Sequence, residues 1–341
     1  MSNLEPHPEE MECEAGGSPD PQGRGGAAVE IITSRDVPLG GPRAMTVKRT
    51  LPQRKRSLIG AWCFVDHYGP DDVSVSGGMD VAPHPHTGLQ TVSWLFEGNV
   101  THHDSGDNHA VVRPGEVNLM TAGAGICHSE VSTQDTTVLH GVQLWTVLPD
   151  AVRESTGRRF DHHVPEPVEF PGGSALVFLG SLLGSSSPVS TFSPLLGAEL
   201  RLDPGAELAL DVDPAYEHGL LVDSGDVTLE GVVVEPTALA YTGVGEERLT
   251  VRNTGSTPAR CILIGGEPFG EEIVMWWNFI GRTHDEIARY RDQWQAESAR
   301  FGAVDGYIGH DPAGLTRLPA PTLPGTVLKP RVNPESKART D

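Results

Sequence analysis

The chain has 341 residues, including 40 glycines and 28 prolines, and its formal net charge at pH 7 is −21. This length predicts two domains, and the abundance of turn-forming residues favours short strands over long helical bundles. The acidic balance disfavours direct binding of nucleic acids and of anionic membrane surfaces, because both attract basic proteins. We therefore expect neither of them as a partner.

Four scattered cysteines show neither the pairing of a disulfide framework nor a Cys-x-x-Cys metal motif. The first residues lack the basic start and apolar core of a signal peptide. The sequence also contains no run of ~18 apolar residues, the length needed to cross a membrane. These features predict a protein of the reducing cytoplasm.

The order of elements along the chain indicates strands between two tails. Residues 1–28 combine prolines with acidic side chains and offer little to bury, which predicts a disordered tail. Beyond them apolar and polar residues alternate, as in the run from Val92 to Phe96, and glycine turns separate such runs. We expect an all-β chain of antiparallel strands, with an N-terminal barrel over 29–165 and a C-terminal barrel over 166–305.

The last part of the chain departs from this strand pattern. Thr283 and Glu286 form a capping pair ahead of an apolar stripe that ends at Trp294. This arrangement predicts one helix over about 284–299, packed against a barrel. Residues 306–341 are rich in proline and predict an extended tail.

Two short motifs in the predicted N-terminal barrel carry the chemistry. His84 and His86 are two residues apart, so on a strand both imidazoles point to one face. His128 and Glu130 repeat this spacing with one imidazole and one carboxylate. Facing strands would place three nitrogens and one oxygen around one ion, a set that suits borderline divalent metals. A lone His-x-His motif is nevertheless common, and these side chains could also lie on a wet surface without a metal.

Nearby polar residues and the second half of the chain complete this picture. His102 and Asp104 could support the ligands or line a pocket, although a strand-end hydrogen bond explains the pair equally well. Residues from about Leu195 to Glu267 have the rhythm of a duplicated barrel. The segment from Leu195 to Glu267 contains only His218 and no His-x-His pair, so we expect the two barrels to have diverged.

An ordered set of motifs resembles the core of the pirin family of bicupins. The set comprises His84 to Gly88, Glu97-Gly98, His102, Asp104-Ser105, Pro114-Gly115, Met120 to Gly123, Gly125-Ile126 and His128 to Glu130. The resemblance covers about residues 29–300 and leaves both tails outside. It implies two antiparallel cupin (jelly-roll) barrels packed face to face, with a short C-terminal helix.

The resemblance also implies one divalent metal per chain, in the N-terminal barrel. Iron is favoured, and manganese, nickel, cobalt, copper or zinc are compatible. The ligands of the family carry over onto His84, His86, His128 and Glu130. One departure lies nearby, because Gln90 stands where many relatives have a glutamate, and this removes a carboxylate from the inner wall.

Two functions of different classes are compatible with this ligand set. The first is a quercetinase-like dioxygenase that acts on a small aromatic substrate, a flavonol or related enol, with Glu130 as the base. The second is a redox-sensitive interaction module or transcriptional coregulator, which binds a protein partner without turnover. The open metal site serves either function.

Overall fold

The computed structural model describes residues 28–39, 45–307, 309, 315–331 and 333, and strands dominate them. Residues 1–27 of the predicted N-terminal tail lie outside this part. The first half of the chain contains β1 (Val29–Ile32), β2 (Arg35–Leu39), β3 (Met45–Leu51), β4 (Trp62–Asp72), α1 (Val73–Ser76), β5 (Asp80–His86), β6 (Leu89–Glu97), β7 (Val100–Asp104), β8 (His109–Val112), β9 (Val117–Thr121), β10 (Ile126–Ser132), β11 (Val138–Val147), α2 (Asp150–Arg153) and β12 (Arg159–His163).

The second half repeats short strands before ending in a helix. Its elements are β13 (Pro167–Phe170), β14 (Gly173–Leu179), β15 (Ser181–Leu182), β16 (Ser185–Ser186), β17 (Leu195–Leu202), β18 (Glu207–Asp211), β19 (Glu217–Ser224), β20 (Val227–Leu229), β21 (Val232–Val234), β22 (Leu239–Thr242), β23 (Arg248–Asn253), β24 (Ala259–Gly266), β25 (Val274–Trp276), β26 (Phe279–Gly281) and α3 (His284–Gln295).

Each half contributes one seven-stranded and one four-stranded antiparallel sheet. In the N-terminal half the orders are β12-β9-β6-β11-β4-β3-β2 and β5-β10-β7-β8. In the C-terminal half they are β1-β22-β19-β24-β17-β14-β13 and β18-β23-β20-β21. The matching orders confirm the predicted all-β chain with a duplicated barrel.

The two seven-stranded sheets pack face to face along a contact that we call the seam. One apolar cluster spans it and includes Trp62 and Trp94 of the N-terminal sheet with Phe178 and Ile262 of the C-terminal sheet. The Trp94 and Phe178 rings stack with centroids 4.6 Å apart. Since large aromatic side chains dominate the burial of apolar area, this cluster holds the barrels together.

Short segments at both ends cross between the barrels. Strand β1 pairs with β22, so it completes the C-terminal sheet rather than the N-terminal barrel to which its position in sequence assigned it. In return, β25, β26 and α3 pack on the N-terminal barrel, where Phe279 pairs with Thr87. Each exchange covers a sheet edge or an apolar face that would otherwise meet water.

Helix α3 packs on β25 and β26, and its buried side chains join an apolar cluster of the N-terminal barrel. Thr283 caps it by accepting a hydrogen bond from the backbone N–H of Glu286, and this confirms the predicted start. The helix ends at Gln295, short of the predicted 299, because Glu297 adopts a left-handed conformation with φ of 53°. Trp294 donates its indole N–H to the carbonyl oxygen of Leu318, which belongs to the predicted C-terminal tail.

Candidate metal centre

The pairing of β5 with β10 brings the two predicted ligand motifs together. His128 lies directly opposite His84 in this antiparallel register, and Ile126 lies opposite His86. The register shifts between His128 and Glu130, where two steps along β10 lie opposite three along β5, so the extra residue of this bulge lies in β5. All four predicted ligands are buried.

Three imidazoles converge on one point inside the N-terminal barrel. The donor atoms of His84, His86 and His128 all lie within 4.8 Å of one another. His86 Nε2 lies 3.1 Å from His128 Nε2. Two nitrogens bound ~2.1 Å from one ion at right angles would be separated by ~3.0 Å, so this spacing fits two adjacent ligands of a metal.

The protonation of these side chains also fits a metal. Burial lowers the pKa of His84 to about 3, and it lowers the pKa values of His86 and His128 well below their usual range. The three rings are therefore neutral near pH 7. His84 donates Nδ1–H to the carbonyl oxygen of Ala82 at 2.9 Å, and its buried Nε2 has no hydrogen-bond partner among the described residues. A metal would satisfy this lone pair.

A hydrogen-bonded chain orients His128 from behind. Asp104 Oδ2 lies 3.1 Å from His102 Nε2, and His102 Nδ1 lies 3.4 Å from His128 Nδ1. If His102 donates to Asp104, its Nδ1 accepts from His128, and the Nε2 lone pair of His128 faces the other imidazoles. Burial raises the pKa of Asp104, but hydrogen bonds from His102 and Asn108 outweigh it and hold that pKa below its usual value.

Glu130 lies close to His128. Its carboxylate, His128 and His102 form a second group of donors within 4.8 Å of one another, so the two groups share His128. Burial raises the pKa of Tyr68 well above its usual value, and the Glu130 charge adds to that rise. Burial lowers the pKa of His84, and the Glu130 charge opposes part of that change, so Glu130 also lies close to the first imidazole group.

Gln90 is buried in the inner wall, with one hydrogen bond at each end of its amide. It donates from Nε2 to Thr121 Oγ1 at 2.9 Å, and its Oε1 accepts from Thr146 Oγ1 at 3.3 Å. These two neighbours hold the amide as a neutral part of the wall.

Several residues that enclose the centre were not predicted from the sequence to do so. The Trp145 ring lies edge-on to His86 at 5.0 Å, and the Phe160 ring lies 4.7 Å from His102. Ile280 donates its backbone N–H to Thr87 beside β5. No sequence signal links Thr87 with a segment about 190 residues later, because only the exchange of β25 and β26 between the barrels brings them together.

The C-terminal barrel has strand positions equivalent to those of the metal centre, but its residues there are not metal donors. His218 lies opposite Thr242 as Gln90 lies opposite Thr121. Leu249 follows Thr242 by seven residues, as His128 follows Thr121, and it lies opposite Leu210, where the N-terminal barrel has His84. These leucines fill the interior with apolar side chains. The duplicated barrel therefore has no counterpart of the imidazole pair at this place in its described strands.

Two antiparallel barrels, with a buried donor group in one of them, define a bicupin. The family model described as Pirin matches residues 44–146, and the model of the Pirin C-terminal cupin domain matches residues 197–302. The chain belongs to the pirin family. This confirms the resemblance seen in the sequence, together with the two cupin domains and the short C-terminal helix.

Named relatives are similar over most of the chain. Protein PA1205 of Pseudomonas aeruginosa, provisionally named as a quercetin 2,3-dioxygenase, is 42% identical over 95% of this chain and 98% of its own length. Human pirin is 31% identical over 60% of this chain and 73% of its own length.

Solved structures show the same fold. The crystal structure of quercetin 2,3-dioxygenase from Acinetobacter baumannii has a TM-score of 0.82 and 36% identity, and the match covers 89% of this chain and 97% of that one. The nickel(II) complex of the bacterial pirin YhhW from Escherichia coli has a TM-score of 0.55 and 17% identity, over 71% and 100% of the two chains. The donor group and the family together support a divalent metal. No helix among the described residues is long and apolar enough to span a membrane.

Proposed function

We propose that this protein is a metal-dependent dioxygenase of the quercetinase type, which acts on a flavonol or a related enol. His84, His86, His128 and Glu130 would hold one divalent metal, with iron as our first choice. The observation that carries the proposal is the convergence of three neutral, buried imidazoles beside a carboxylate. The names of the Pseudomonas and Acinetobacter relatives support the substrate class.

The chemistry assigns a separate task to each buried side chain. A bound divalent metal supplies Lewis-acid activation, which lowers the pKa of a coordinated substrate hydroxyl. Glu130 would accept the hydroxyl proton on its carboxylate, as a general base within reach of both substrate and metal. His102 and Asp104 would hold the His128 ring in the tautomer that ligates.

The test measures metal content and oxygen consumption on the full-length chain. We would strip the protein with a chelator, reload it in turn with iron, manganese, nickel, cobalt and copper, and follow dissolved oxygen with a flavonol. Glu130→Gln keeps one oxygen for the metal but removes a basic carboxylate. We expect it to retain part of the metal while turnover falls by about 10²-fold or more. Glu169→Gln, an exposed position in β13, serves as the matched control.

Two outcomes would redirect the proposal. If no reloaded form consumes oxygen, the dioxygenase loses its main support, and the interaction module without turnover becomes the better hypothesis. If Glu130→Gln matches the wild type in metal content and rate, the enzyme stands but the base lies elsewhere.

A further inference from the structure

A second group of donors lies in the seam, away from the candidate metal centre. It consists of His67 on β4, His140 on β11 and Asp223 on β19. The two histidines belong to the N-terminal barrel, and the aspartate belongs to the C-terminal barrel. Their side chains are only 3%, 8% and 1% exposed, respectively. Any ion held there would be bound by both barrels.

Both imidazoles lie within hydrogen-bond distance of the same carboxylate oxygen. Asp223 Oδ1 lies 2.7 Å from His67 Nε2 and 2.5 Å from His140 Nε2. The two rings meet edge to face with centroids 5.4 Å apart. The second oxygen, Oδ2, accepts from Arg260 Nε at 2.8 Å, and Arg260 also lies over the Phe96 ring. Arg260 thereby fixes the carboxylate through the oxygen that the imidazoles leave free.

The Asp223 carboxylate stays ionised although it is buried. Burial raises the pKa of Asp223, but hydrogen bonds from His140 and His67 and the positive charge of Arg260 outweigh it and hold that pKa far below its usual value. His67 Nδ1 is buried without a hydrogen-bond partner among the described residues. The His67 ring is therefore fixed mainly by what its Nε2 binds, which is the point where the three donors meet.

This group is separate from the first. On β11 the Trp145 ring contacts His86, and His140 precedes Trp145 by five residues. Along a regular strand five residues span up to ~17 Å, so His140 and Trp145 lie near opposite ends of β11, and none of the three seam donors belongs to the first group. The two groups therefore share no ligand and can bind ions independently.

We propose that His67, His140 and Asp223 form a second metal site, which binds a borderline divalent ion such as Zn²⁺, Co²⁺ or Ni²⁺ and links the two barrels. Two imidazole nitrogens and one carboxylate oxygen are a common ligand set for these ions, and water completes the coordination. When the ion binds, each neutral ring carries its single proton on Nδ1 instead of Nε2, so both Nε2 lone pairs face the ion and no proton is lost. This raises the expected stoichiometry from one metal per chain to two.

The experiment isolates the seam site by removing the first site. In full-length protein carrying His86→Ala and His128→Ala, we would measure Zn²⁺ by elemental analysis and titrate Co²⁺ by visible absorbance. We expect one equivalent of either ion and a Zn²⁺-dependent rise in the melting temperature. Adding His67→Gln or, separately, His140→Gln should abolish both, because an amide can still donate to Asp223 but binds these ions poorly. His162→Gln, at an exposed histidine that pairs with Glu116, should change neither.

Each result decides the matter independently of dioxygenase activity. Wild-type protein with one equivalent, all of it lost with His86 and His128, would overturn the second site and leave the cluster as a hydrogen-bonded link. A second equivalent that survives both seam substitutions would place the ion elsewhere and overturn the assignment. Circular dichroism on each variant shows that a loss of metal is not a loss of fold.

Discussion

The indole N–H of Trp94 donates a hydrogen bond of 2.7 Å to the carboxylate of Glu199, and both side chains are buried in the seam. Trp94→Phe removes this donor and leaves one oxygen of a buried carboxylate unpaired. We expect the free energy of unfolding to fall by about 2–4 kcal/mol, because desolvation of the unpaired oxygen adds to the lost packing. Urea unfolding monitored by circular dichroism measures the loss.

Trp277→Phe is the matched control for that loss. Trp277 is equally buried, but its indole nitrogen has no hydrogen-bond partner among the described residues. The same substitution there should therefore cost less. If the two variants lose equal stability, packing alone accounts for the Trp94 effect.

A graded series of substitutions tests the ligands and the residues behind them. We expect His128→Ala to remove most of the metal, since the loss of one ligand also loosens the others. His102→Phe should weaken metal affinity by about 10–100-fold, because it breaks the hydrogen-bonded chain from Asp104 without removing a ligand. His103→Phe, the next residue on β7, should leave affinity unchanged. Metal competition with a chromophoric chelator ranks the three, and equal affinity of the His102 and His103 variants would show that His102 does not orient His128.

Local patterns predicted the elements and the first donor group. Alternation of period two identified the strands, and the spacing of His84 to His86 placed both on one face, because neither feature depends on distant parts of the chain. The capping pair at Thr283 and Glu286 located the start of α3 for the same reason.

Contacts between distant parts of the chain could not be predicted from the sequence. Strand β1 looks like any half-buried strand, and only the free edge of β22 determines that it pairs with the C-terminal sheet. The seam group likewise joins His67 and His140 to Asp223, which is more than 80 residues away from either in the chain. Such contacts depend on how the sheets pack against each other, which the spacing of residues within a motif does not predict.

His218 should make the fold sensitive to acid. Both of its ring nitrogens are buried without partners among the described residues, and burial lowers its pKa from 6.5 to about 4. Between these two pH values the unfolded chain binds a proton at this side chain and the folded chain does not. Stability therefore falls as the pH drops through this window and, for this group, levels off below pH 4. The 2.5-unit difference in pKa corresponds to about 3 kcal/mol.

His218→Gln removes the titrating group while keeping a polar side chain of similar size. We would measure the free energy of unfolding by urea at several pH values between 7.5 and 4.5 for the wild type, for His218→Gln and for the exposed control His162→Gln. Other groups titrate in all three proteins. At each pH we therefore subtract the free energy of unfolding of the wild type from that of the variant, and we follow how this difference changes with pH. That difference should shift in favour of His218→Gln by about 2.5 kcal/mol between pH 7.5 and 4.5, and it should stay nearly constant for His162→Gln. Parallel curves for the wild type and His218→Gln would show that this ring gains a partner, such as a buried water, when it is protonated.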